Sequence, residues 1–381
     1  MRILLDATAV PEDRGGVGRY VDALLPALVA QGVELAVVCQ ARDAARTSEL
    51  VPSAEVVAAP PRIVRRPARL AWEQVGLPRL ARGLAVDLLH SPHYTMPRVP
   101  GVPVVVTLHD ATFFSHPELH SRLKGGFFRR ATRHAITHAA ALVVPSRATA
   151  SEVVRHAGGA PEMFHVAYHG VDTSLFHPVD EGDRARVAAS LDLGGRPYVG
   201  FLGTLEPRKN VPALVRAWGR AVTDLAEPPA LVLAGGRGWD DQVEPTVAAV
   251  LAEHPHLRVR LPGYLPLEDL PGFLSGAQVL AYPSLGEGFG LPVLEAMACG
   301  AAVLTTRELS LPEVGGDAVA YCGTDENSIA TGLRALLDDT ARRCALAADA
   351  VHRAARFTWQ AAAAAHVEAY DAALRRRAVR P

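Results

Sequence analysis

The stretch 278–300, QVLAYPSLGEGFGLPVLEAMACG, carries the clearest structural signal in this chain. Its first residues are mostly apolar and favour a β-strand, three glycines follow, and Pro292 stands where proline suits the first turn of a helix. The stretch therefore predicts a buried strand, a loop and a helix in succession. Because glycines allow close backbone approach and a helix N-terminus attracts anions, the loop is typical of a phosphate-binding site.

Short apolar runs like the one before this loop recur along the chain and alternate with helix-like stretches such as 18–31. Strands that alternate with helices predict right-handed βαβ units around a parallel sheet. The runs lie at 3–5, 33–38, 86–89, 102–108, 141–144 and 164–167, and then at 198–202, 230–234, 257–261 and 302–305.

A polar passage rich in proline and glycine, 173–197, interrupts this alternation and predicts a domain boundary. The length of 381 residues is also about twice what one hydrophobic core usually organises. We therefore expect two doubly wound, Rossmann-like domains, 1–178 and 179–360, whose strand ends face one another across a ligand-binding cleft. The alanine-rich end of the chain, 361–381, predicts a terminal helix that packs back on the first domain and carries no catalytic residue.

The composition excludes several classes of protein. A net charge of −1 lacks the basic excess that binding to nucleic acid requires. The four cysteines form no CxxC pair, which argues against a zinc ribbon or a disulfide framework. No apolar run approaches the roughly 18 residues of a membrane span, and the first residues do not resemble a secretory leader. These features favour a cytoplasmic protein with free thiols.

Charge is distributed unevenly, with +4 in the first predicted domain and −5 in the rest of the chain. Two basic clusters lie in the first domain, and the second of them adjoins Phe127 and Phe128. They could make a peripheral contact with anionic lipids at the inner face of the membrane. The alternative, which is the more usual one, is a solvated, arginine-rich helix face. The clusters comprise Arg62, Arg65, Arg66, Arg69, Arg79 and Arg82, and Arg122, Lys124, Arg129, Arg130 and Arg133.

Glycines also cluster near the start of the chain, in the segment GGVGRY at 15–20. The segment follows the first predicted strand and opens a helix, so its backbone N–H groups could face an anion. A tight turn without a ligand explains it equally well. The dinucleotide fingerprint GxGxxG is not met here.

The loop GTLEPRKN, which begins with Gly203, follows another predicted strand. Only two of the 39 basic residues are lysines, so a lysine at position 209 is unusual for this composition. Arg208 can bind two phosphate oxygens at once and Lys209 can supply a mobile point charge, which together suit a diphosphate. An exposed loop with two solvated charges is the alternative.

Two glutamates accompany the glycine loop of 278–300. Glu287 lies within the loop, and Glu295 lies eight residues later on the predicted helix. Helical adjacency cannot make them a close carboxylate pair, so we expect them to touch different parts of one ligand. Proteins hold sugars and ribose with carboxylates that accept hydrogen bonds from hydroxyls. Because unpaired buried acids are costly, Glu295 within its apolar run is expected to have a partner.

These motifs together resemble a retaining glycosyltransferase of family 4 with the GT-B fold. The resemblance rests on the Glu-x7-Glu spacing in EGFGLPVLEAMACG, on GTLEPRKN, on His109-Asp110 in VVVTLHD and on GGVGRY, all in the family's order. It implies transfer of a sugar from a nucleotide-sugar donor, held mainly by the second domain, with retention of anomeric configuration. GGVGRY and LHDATFF are similar to bacterial mannosyltransferases of the family, which favours GDP-mannose as donor. The acceptor would be a glycan or a lipid-linked molecule.

The resemblance also implies roles for single residues. Glu287 would contact hydroxyls of the donor sugar and Glu295 the ribose, while the two cations of GTLEPRKN would neutralise the diphosphate. Gly16 would approach the phosphates from the first domain, and His109 would face the sugar without acting as a general base. The catalytic set is His109, Arg208, Lys209 and Glu287, and the donor-binding set is Gly16, Gly203, Glu287, Gly288, Phe289, Gly290, Leu291 and Glu295.

No metal cofactor is expected. The sequence contains no Asp-x-Asp, the usual motif for a metal-bound nucleotide sugar, and two side-chain cations with helix-end amides can substitute for a metal. His116 and His120, and His134 and His138, are each four residues apart, a spacing that metal sites use on a helix. Without a nearby cysteine or a clear acidic third ligand, they are interpreted as surface or acceptor-side residues.

Other functions fit parts of this pattern. A sugar-nucleotide epimerase or a phosphorylase would share the fold, although a phosphorylase would carry pyridoxal phosphate on a lysine. A catalytically silent nucleotide-sugar-binding protein would bind the donor without turnover. A nicotinamide oxidoreductase is disfavoured because the dinucleotide fingerprint is missing.

Overall fold

The computed structural model describes residues 1–12 and 14–379. Within it the chain divides into two compact units. Unit 1 comprises Met1–Gly170 together with the chain from Thr358 onward, and unit 2 comprises Val171–Phe357. The chain therefore passes from one unit to the other twice.

Unit 1 is built on a parallel sheet whose strands alternate with helices. Its strands are β1 (Arg2–Asp6), β2 (Glu34–Cys39), β3 (Glu55–Ala58), β4 (Leu88–Ser91), β5 (Val104–Thr107), β6 (Ala141–Val144) and β7 (Phe164–Val166). Its first six helices are α1 (Gly15–Ala30), α2 (Ala44–Leu50), α3 (Arg66–Gly83), α4 (Thr112–Ser115), α5 (Arg122–His138) and α6 (Arg147–Ala157). The strands lie in the spatial order β3-β2-β1-β4-β5-β6-β7.

Strand β1 shows how this sheet is buried. Ile3 and Leu5 belong to one apolar layer with Leu24 of α1, whereas Leu4 belongs to a second layer with Leu77 of α3. Alternate residues of a strand point to opposite faces, so helices cover both faces of the sheet. Full burial of each such side chain stabilises the fold by about 1.5–3 kcal/mol.

Unit 2 repeats the plan with a smaller sheet. Its strands are β8 (Tyr198–Leu202), β9 (Ala230–Ala234), β10 (Val259–Gly263), β11 (Val279–Tyr282), β12 (Val303–Thr306) and β13 (Ala320–Cys322). Its helices are α7 (Glu181–Ser190), α8 (Val211–Val222), α9 (Val243–Glu253), α10 (Leu270–Gly276), α11 (Leu291–Ala298), α12 (Leu311–Gly315), α13 (Glu326–Asp338) and α14 (Thr340–Ala354). The strand order is β10-β9-β8-β11-β12-β13, again parallel throughout.

The last helix, α15 (Trp359–Val379), belongs to unit 1, where it packs against α1, β5, β6 and β7. The chain passes between the units at 170/171 and 357/358. The boundaries predicted from the sequence, 178/179 and 360/361, lie a few residues further along the chain. The polar passage 173–197 is not a simple linker, because helix α7 lies within it.

The two parallel, doubly wound sheets confirm the predicted fold class. The apolar runs 141–144, 198–202 and 230–234 form strands over those same residues. Strands β3 and β13 have no counterpart among the predicted runs. Both are short, lie at a sheet edge and are only partly buried, so neither needs a continuous apolar sequence.

Two further sequence expectations can be compared with the structure. All four cysteines are free thiols. Among the described residues, no helix combines the length and the apolar character that a membrane span requires.

Candidate active site

The candidate site of unit 2 lies where two neighbouring strands end. Strands β8 and β11 are paired and parallel, so their carboxyl ends lie at the same edge of the sheet. The loop after β8 begins at Gly203, whose N–H donates to Ala234 O over 2.9 Å. That loop also meets the glycine loop after β11, because Leu285 N donates to Arg208 O over 2.9 Å. The two loops that the sequence marks as phosphate-binding are thus adjacent.

Glu287 stands at the centre of a buried group of polar side chains. Its Oε1 lies 2.7 Å from Lys209 Nζ and its Oε2 lies 2.5 Å from Arg208 Nη1. Ser284 Oγ and Tyr282 Oη donate to the same Oε1 over 2.7 and 3.0 Å. We call these five residues the strand-end cluster. Arg208 and Lys209 are therefore not solvated loop charges, and the alternative of an exposed loop is wrong.

The electrostatics of the strand-end cluster keep Glu287 ionised. Burial alone would raise the pKa of Glu287, but Arg208 and Lys209 outweigh it and lower this pKa to about 2. Burial and the neighbouring Arg208 lower the pKa of Lys209, while Glu287 partly offsets them. Burial and the charge of Glu287 raise the pKa of Tyr282, so its phenol stays protonated. Two cations thus share one fully buried carboxylate.

A second carboxylate makes a weaker contact with this group, because Glu206 Oε2 lies 3.5 Å from Arg208 Nη2 and is more exposed than Glu287. The same arginine donates through Nη1 to Gly286 O over 2.7 Å. Arg208 therefore ties the glycine loop to the end of β8. The positive charge of the cluster is held beside backbone of the glycine loop.

The glycine loop is held from β12 and from the start of α12. Ser310 Oγ lies 2.8 Å from Glu287 O and 2.9 Å from Phe289 O, and Thr306 Oγ1 donates to Ser284 O over 2.7 Å. Gly290 has φ of +100°, a conformation that favours glycine, and it caps the helix that begins at Leu291. The predicted order of strand, glycine loop and helix is confirmed.

The other predicted donor-binding residues of this loop occupy different surroundings. Gly288 follows Glu287 in the loop, and Phe289 is buried with its ring edge-on to Phe357 at 6.0 Å. Glu295 is buried on α11. The pKa of the nearby Cys299 thiol is raised mainly by burial of the thiol and further by the charge of Glu295. Glu295 is thus a buried acid rather than a helix-surface one.

In unit 1, His109 follows strand β5, and a hydrogen bond to a backbone carbonyl orients its ring. Its Nε2 donates to Pro92 O over 2.7 Å. Burial lowers the pKa of His109, although the bond to Pro92 and the charge of Asp110 act in the opposite direction. The neutral ring therefore keeps its proton on Nε2 and its lone pair on Nδ1. The Tyr20 and His109 rings form a T-shaped pair with their centroids 5.0 Å apart.

Gly16 lies in the first turn of α1, so the glycine segment belongs to the helix rather than to a preceding loop. Apart from Gly16 itself, its chain neighbours and the backbone of its own helix, no atom of the described residues lies within 4 Å of a Cβ built on Gly16. A Cβ on Gly18 would instead lie 2.7 Å from Arg14 Cβ. Packing within unit 1 therefore explains the glycine at 18 but not the one at 16.

Several residues of these sites carry no motif that identifies them in the sequence. In unit 2 they are Tyr282 and Ser284 of the cluster and Ser310, which holds the loop. In unit 1 they are Tyr20 and Thr107, whose hydroxyls lie 3.0 Å apart. A polar residue at the end of an apolar strand is the signal that could have found Tyr282 and Thr107.

The spacing of His116 and His120 does not place them on one helix. Helix α4 ends at Ser115, and a 3-10 turn separates the two histidines, which contact Glu118 and Thr112 respectively. His134 and His138 do share α5, with ring centroids 4.3 Å apart. Among the described residues, no group of three or more His, Cys, Asp or Glu side chains is arranged to hold a metal ion.

The basic clusters of unit 1 are partly engaged with the protein itself. Arg69 is buried, with its Nη1 3.2 Å from Glu73 Oε2. Arg66 lies over the Phe127 ring at 5.3 Å, and Arg129 Nη1 donates to Phe113 O over 2.8 Å. Other members of the clusters, among them Arg62, Arg79, Arg122 and Arg130, are exposed.

Two Rossmann-like units, with a buried cation–carboxylate cluster at a glycine loop, define the class of GT-B glycosyltransferases. Residues 14–175 match the family model described as Glycosyltransferase Family 4, and residues 196–339 match the model described as Glycosyl transferases group 1. The chain is 30% identical to the O-antigen chain mannosyltransferase B of Escherichia coli, across 80% of this chain and 77% of that protein. It is 29% identical to the D-inositol 3-phosphate glycosyltransferase of an Arthrobacter species, across 95% and 91% of the two chains. The chain belongs to glycosyltransferase family 4 and is a glycosyltransferase.

Solved structures show the same fold at lower sequence identity. HepE from Anabaena, in complex with UDP-glucose, superposes with a TM-score of 0.76 at 19% identity, over 97% of this chain and 99% of that one. WaaG, a glycosyltransferase involved in lipopolysaccharide biosynthesis, superposes with a TM-score of 0.74 at 16% identity, over 96% and 99%. These likenesses establish the GT-B architecture over nearly the whole chain.

Proposed function

We propose that this enzyme transfers a hexose, with mannose favoured, from a nucleoside diphosphate sugar to an acceptor hydroxyl, with retention of anomeric configuration and without a metal ion. The observation that carries the proposal is the strand-end cluster, in which Arg208 and Lys209 share the buried carboxylate of Glu287 beside a glycine loop. Such a cluster suits a ligand that is both anionic and rich in hydroxyls.

The cations of the cluster suit a departing diphosphate. Fixed charges in a poorly solvated site stabilise developing charge strongly, because the surroundings need not reorganise during the reaction. Arg208 can present two N–H groups to phosphate oxygens, and Lys209 can move toward a third. In this proposal the two side chains supply the positive charge that a metal ion supplies elsewhere, so turnover should persist in excess chelator.

The carboxylates and His109 are assigned to the sugar and the ribose. Glu287 can accept hydrogen bonds from sugar hydroxyls while it stays ionised, since its pKa is lowered to about 2. Glu295 on α11 is proposed to bind the ribose. His109 of unit 1 offers the lone pair of Nδ1 to a sugar hydroxyl, because Nε2 is committed to Pro92. Gly16 is proposed to approach the phosphates through its backbone.

Mannose is favoured because of sequence similarity. The segments GGVGRY and LHDATFF are similar to bacterial mannosyltransferases of the family, and one relative at 30% identity is a mannosyltransferase. GDP-mannose is accordingly the proposed donor. UDP-glucose, which HepE binds in its solved complex, is the competing donor to be tested.

Isothermal titration tests the donor proposal. The protein is titrated with GDP, UDP, ADP, dTDP and NAD in the presence of EDTA. Binding of GDP that is lost in Arg208→Ala and Lys209→Ala is the expected result. The matched control is Lys124→Ala, which changes the only other lysine, an exposed residue of unit 1. Binding of UDP alone would favour UDP-glucose over GDP-mannose as the donor. Binding of NAD alone would reject the proposal that the protein binds a nucleotide sugar.

Turnover is then followed as release of nucleoside diphosphate from GDP-mannose, with water or a glycan as acceptor and EDTA present. NMR of the product reports its anomeric configuration. Binding without turnover in all conditions would favour a silent binding protein, and conversion of the sugar without nucleotide release would favour an epimerase. An inverted anomer would reject retention.

The acceptor is proposed to be a glycan or a lipid-linked molecule. For a lipid-linked acceptor, exposed residues around the contact between Arg66 and Phe127 provide a surface for anionic lipid at the inner face of the membrane, since Leu123 and Val64 are 90% and 64% exposed there. Sedimentation with anionic liposomes at low and high salt tests this contact. The absence of salt-sensitive binding would reject it.

A further inference from the structure

A continuous chain of buried polar side chains runs through unit 1. Tyr370 Oη of α15 lies 2.8 Å from His90 Nδ1, and His90 Nε2 lies 2.9 Å from Thr107 Oγ1. Thr107 Oγ1 lies 3.0 Å from Tyr20 Oη, which in turn lies 2.7 Å from His366 Nε2 of α15. Each of the five side chains has at most 1% of its surface exposed. We call this set the buried chain.

The donors and acceptors of the buried chain can be assigned from one end. His366 Nδ1 lies 2.7 Å from Ala362 O, and a carbonyl can only accept, so Nδ1 carries the proton. Burial lowers the pKa of His366 to about 4, which leaves the ring neutral and makes Nε2 an acceptor. Tyr20 Oη must therefore donate to His366.

The remaining bonds then follow in one direction. Because the proton of Tyr20 is committed to His366, Tyr20 Oη accepts from Thr107 Oγ1. Thr107 has no second proton, so its oxygen accepts from His90 Nε2, and His90 Nδ1 accepts from Tyr370 Oη. All five donors point the same way along the buried chain.

Two members of the buried chain, Tyr20 and Thr107, lie close in sequence to residues that the proposed function uses. Tyr20 lies on α1, four residues after Gly16, and Thr107 is the last residue of β5, two residues before His109. The rings of Tyr20 and His109 form a T-shaped pair, with centroids 5.0 Å apart and planes at 83°. The hydroxyl of Tyr20 thus fixes a ring that packs directly on His109.

We infer that Tyr20 is a positioning residue for His109, held in place by hydrogen bonds to Thr107 and to His366 of the terminal helix. The inference rests on the role of His109 in the proposed function. It also gives α15 a task that its alanine-rich sequence does not suggest, since α15 supplies the acceptor that orients Tyr20. His90 and Tyr370, at the far end of the buried chain, serve the fold of unit 1.

Two Tyr→Phe substitutions separate positioning from stability. Tyr20→Phe keeps the ring but removes the hydroxyl next to His366 and Thr107. Tyr370→Phe removes an equally buried hydroxyl at the other end of the buried chain. Both variants leave a buried acceptor unsatisfied, so both should lower Tm. We expect kcat to fall about tenfold in Tyr20→Phe alone, with nucleotide affinity unchanged, because a displaced group beside the reacting atoms reduces productive orientation.

A second pair tests the same bond from its other side. Thr107→Val is close in shape to threonine and removes the donor to Tyr20, whereas Thr107→Ser keeps it. Thr107→Val should lower kcat about as much as Tyr20→Phe, and Thr107→Ser should retain the kcat of the unmodified enzyme. Equal losses of kcat in Tyr20→Phe and Tyr370→Phe, in proportion to their losses in Tm, would overturn the inference.

A readout that needs no turnover is the ¹⁵N NMR signal of the histidine side chains, with the signals of His109 identified by their loss in His109→Ala. They should move in Tyr20→Phe and stay unchanged in Tyr370→Phe. Unmoved His109 signals in Tyr20→Phe would reject the positioning role even if the enzyme turns over. Failure of the proposed function would appear differently, as an unmodified protein that neither binds nor turns over any donor while the NMR shifts still occur.

Discussion

The carboxyl ends of the two sheets carry different kinds of polar chemistry. In unit 2, Arg208 and Lys209 hold an ionised, buried Glu287, and the whole group depends on charge. In unit 1, burial keeps His109 neutral, and the adjacent Tyr20 belongs to a chain of uncharged hydrogen bonds. Two sheets of the same construction thus support an ionic site in one unit and a neutral site in the other.

This difference separates two requirements of sugar transfer. Charge in a poorly solvated site acts over several ångströms and suits a leaving diphosphate, which gains charge as it departs. Neutral hydrogen bonds act only along defined directions and suit the orientation of uncharged hydroxyls. We therefore expect substitutions in unit 2 to affect both binding and turnover, and substitutions in unit 1 to affect mainly turnover.

The largest effect is expected from Glu287→Gln, which removes the charge that Arg208 and Lys209 share. Breaking a buried ion pair on one side leaves uncompensated charge, so the free energy of unfolding should fall by about 3–5 kcal/mol. Turnover should fall by about 10²–10³-fold. Urea denaturation and nucleotide release measure the two quantities. Glu244→Gln, at an exposed ion pair with Arg237, is the control and should change the unfolding free energy by less than about 0.5 kcal/mol.

A double variant separates the effect of the cluster's charges on stability from their effect on turnover. Glu287→Gln combined with Lys209→Met removes one charge of each sign, so it should recover much of the stability that Glu287→Gln loses. It should not recover turnover, because the diphosphate would then lack one of the two cations proposed to bind it. Recovery of turnover together with stability would contradict an electrostatic role for the strand-end cluster.

The next largest effect is expected from His109→Ala in unit 1. We predict that kcat falls about 10²-fold, as for loss of a positioned polar group, while the nucleotide dissociation constant stays unchanged because the proposed nucleotide site lies in unit 2. Kinetics and titration on the same preparation measure both. His138→Ala, at an exposed histidine of α5, should change neither. A weakened nucleotide affinity in His109→Ala would contradict the expectation that substitutions in unit 1 affect mainly turnover.

Acid should weaken unit 1 before unit 2. Burial lowers the pKa values of His90 and His366, the latter to about 4 from 6.5. Below about pH 6.5 the unfolded chain binds protons that the folded unit does not, so stability falls as the pH falls, by up to about 1.4 kcal/mol per pH unit for each histidine. Glu287 acts at lower pH, because its contribution is present above 4.5 and is lost between 4.5 and about 2.

Amide hydrogen exchange, corrected for intrinsic rates, resolves the two units. Between about pH 7 and about pH 5, protection should decrease in β1 and β5 of unit 1, while β8 and β11 of unit 2 should keep theirs. His366→Gln removes one titrating group, so the acid-induced loss of protection in unit 1 should become smaller. Equal losses in both units would show that the histidines do not set the acid sensitivity.

The sequence predicts unit 2 more fully than unit 1, for a physical reason. In unit 2 the predicted site residues lie in two short segments, 203–210 and 278–300, and parallel pairing of β8 with β11 brings those segments together. The sequence could therefore name Arg208, Lys209 and Glu287. It could not show that Glu287 pairs with both cations, because its contact with Lys209 joins residues 78 positions apart.

In unit 1 the contacts join more distant parts of the chain. Tyr20 meets Thr107 at a separation of 87 residues and His366 at a separation of 346. No local pattern marks a histidine on an alanine-rich terminal helix as a partner of the glycine segment. The alanine-rich sequence predicts a terminal helix, but only the packing of α15 on the sheet shows which polar groups it supplies.

The smallest effect is expected where unit 1 is proposed to approach the phosphates. Gly16→Ala should raise the free energy of unfolding by about 0.5–1 kcal/mol, because Ala is the better helix former and the added Cβ meets no described atom within 4 Å. If the backbone here approaches the donor, kcat/KM should nevertheless fall about tenfold. Gly18→Ala is the contrast, since its Cβ would lie 2.7 Å from Arg14 Cβ and should cost stability. Full activity in a stabilised Gly16→Ala variant would reject the proposed approach of Gly16 to the donor phosphates.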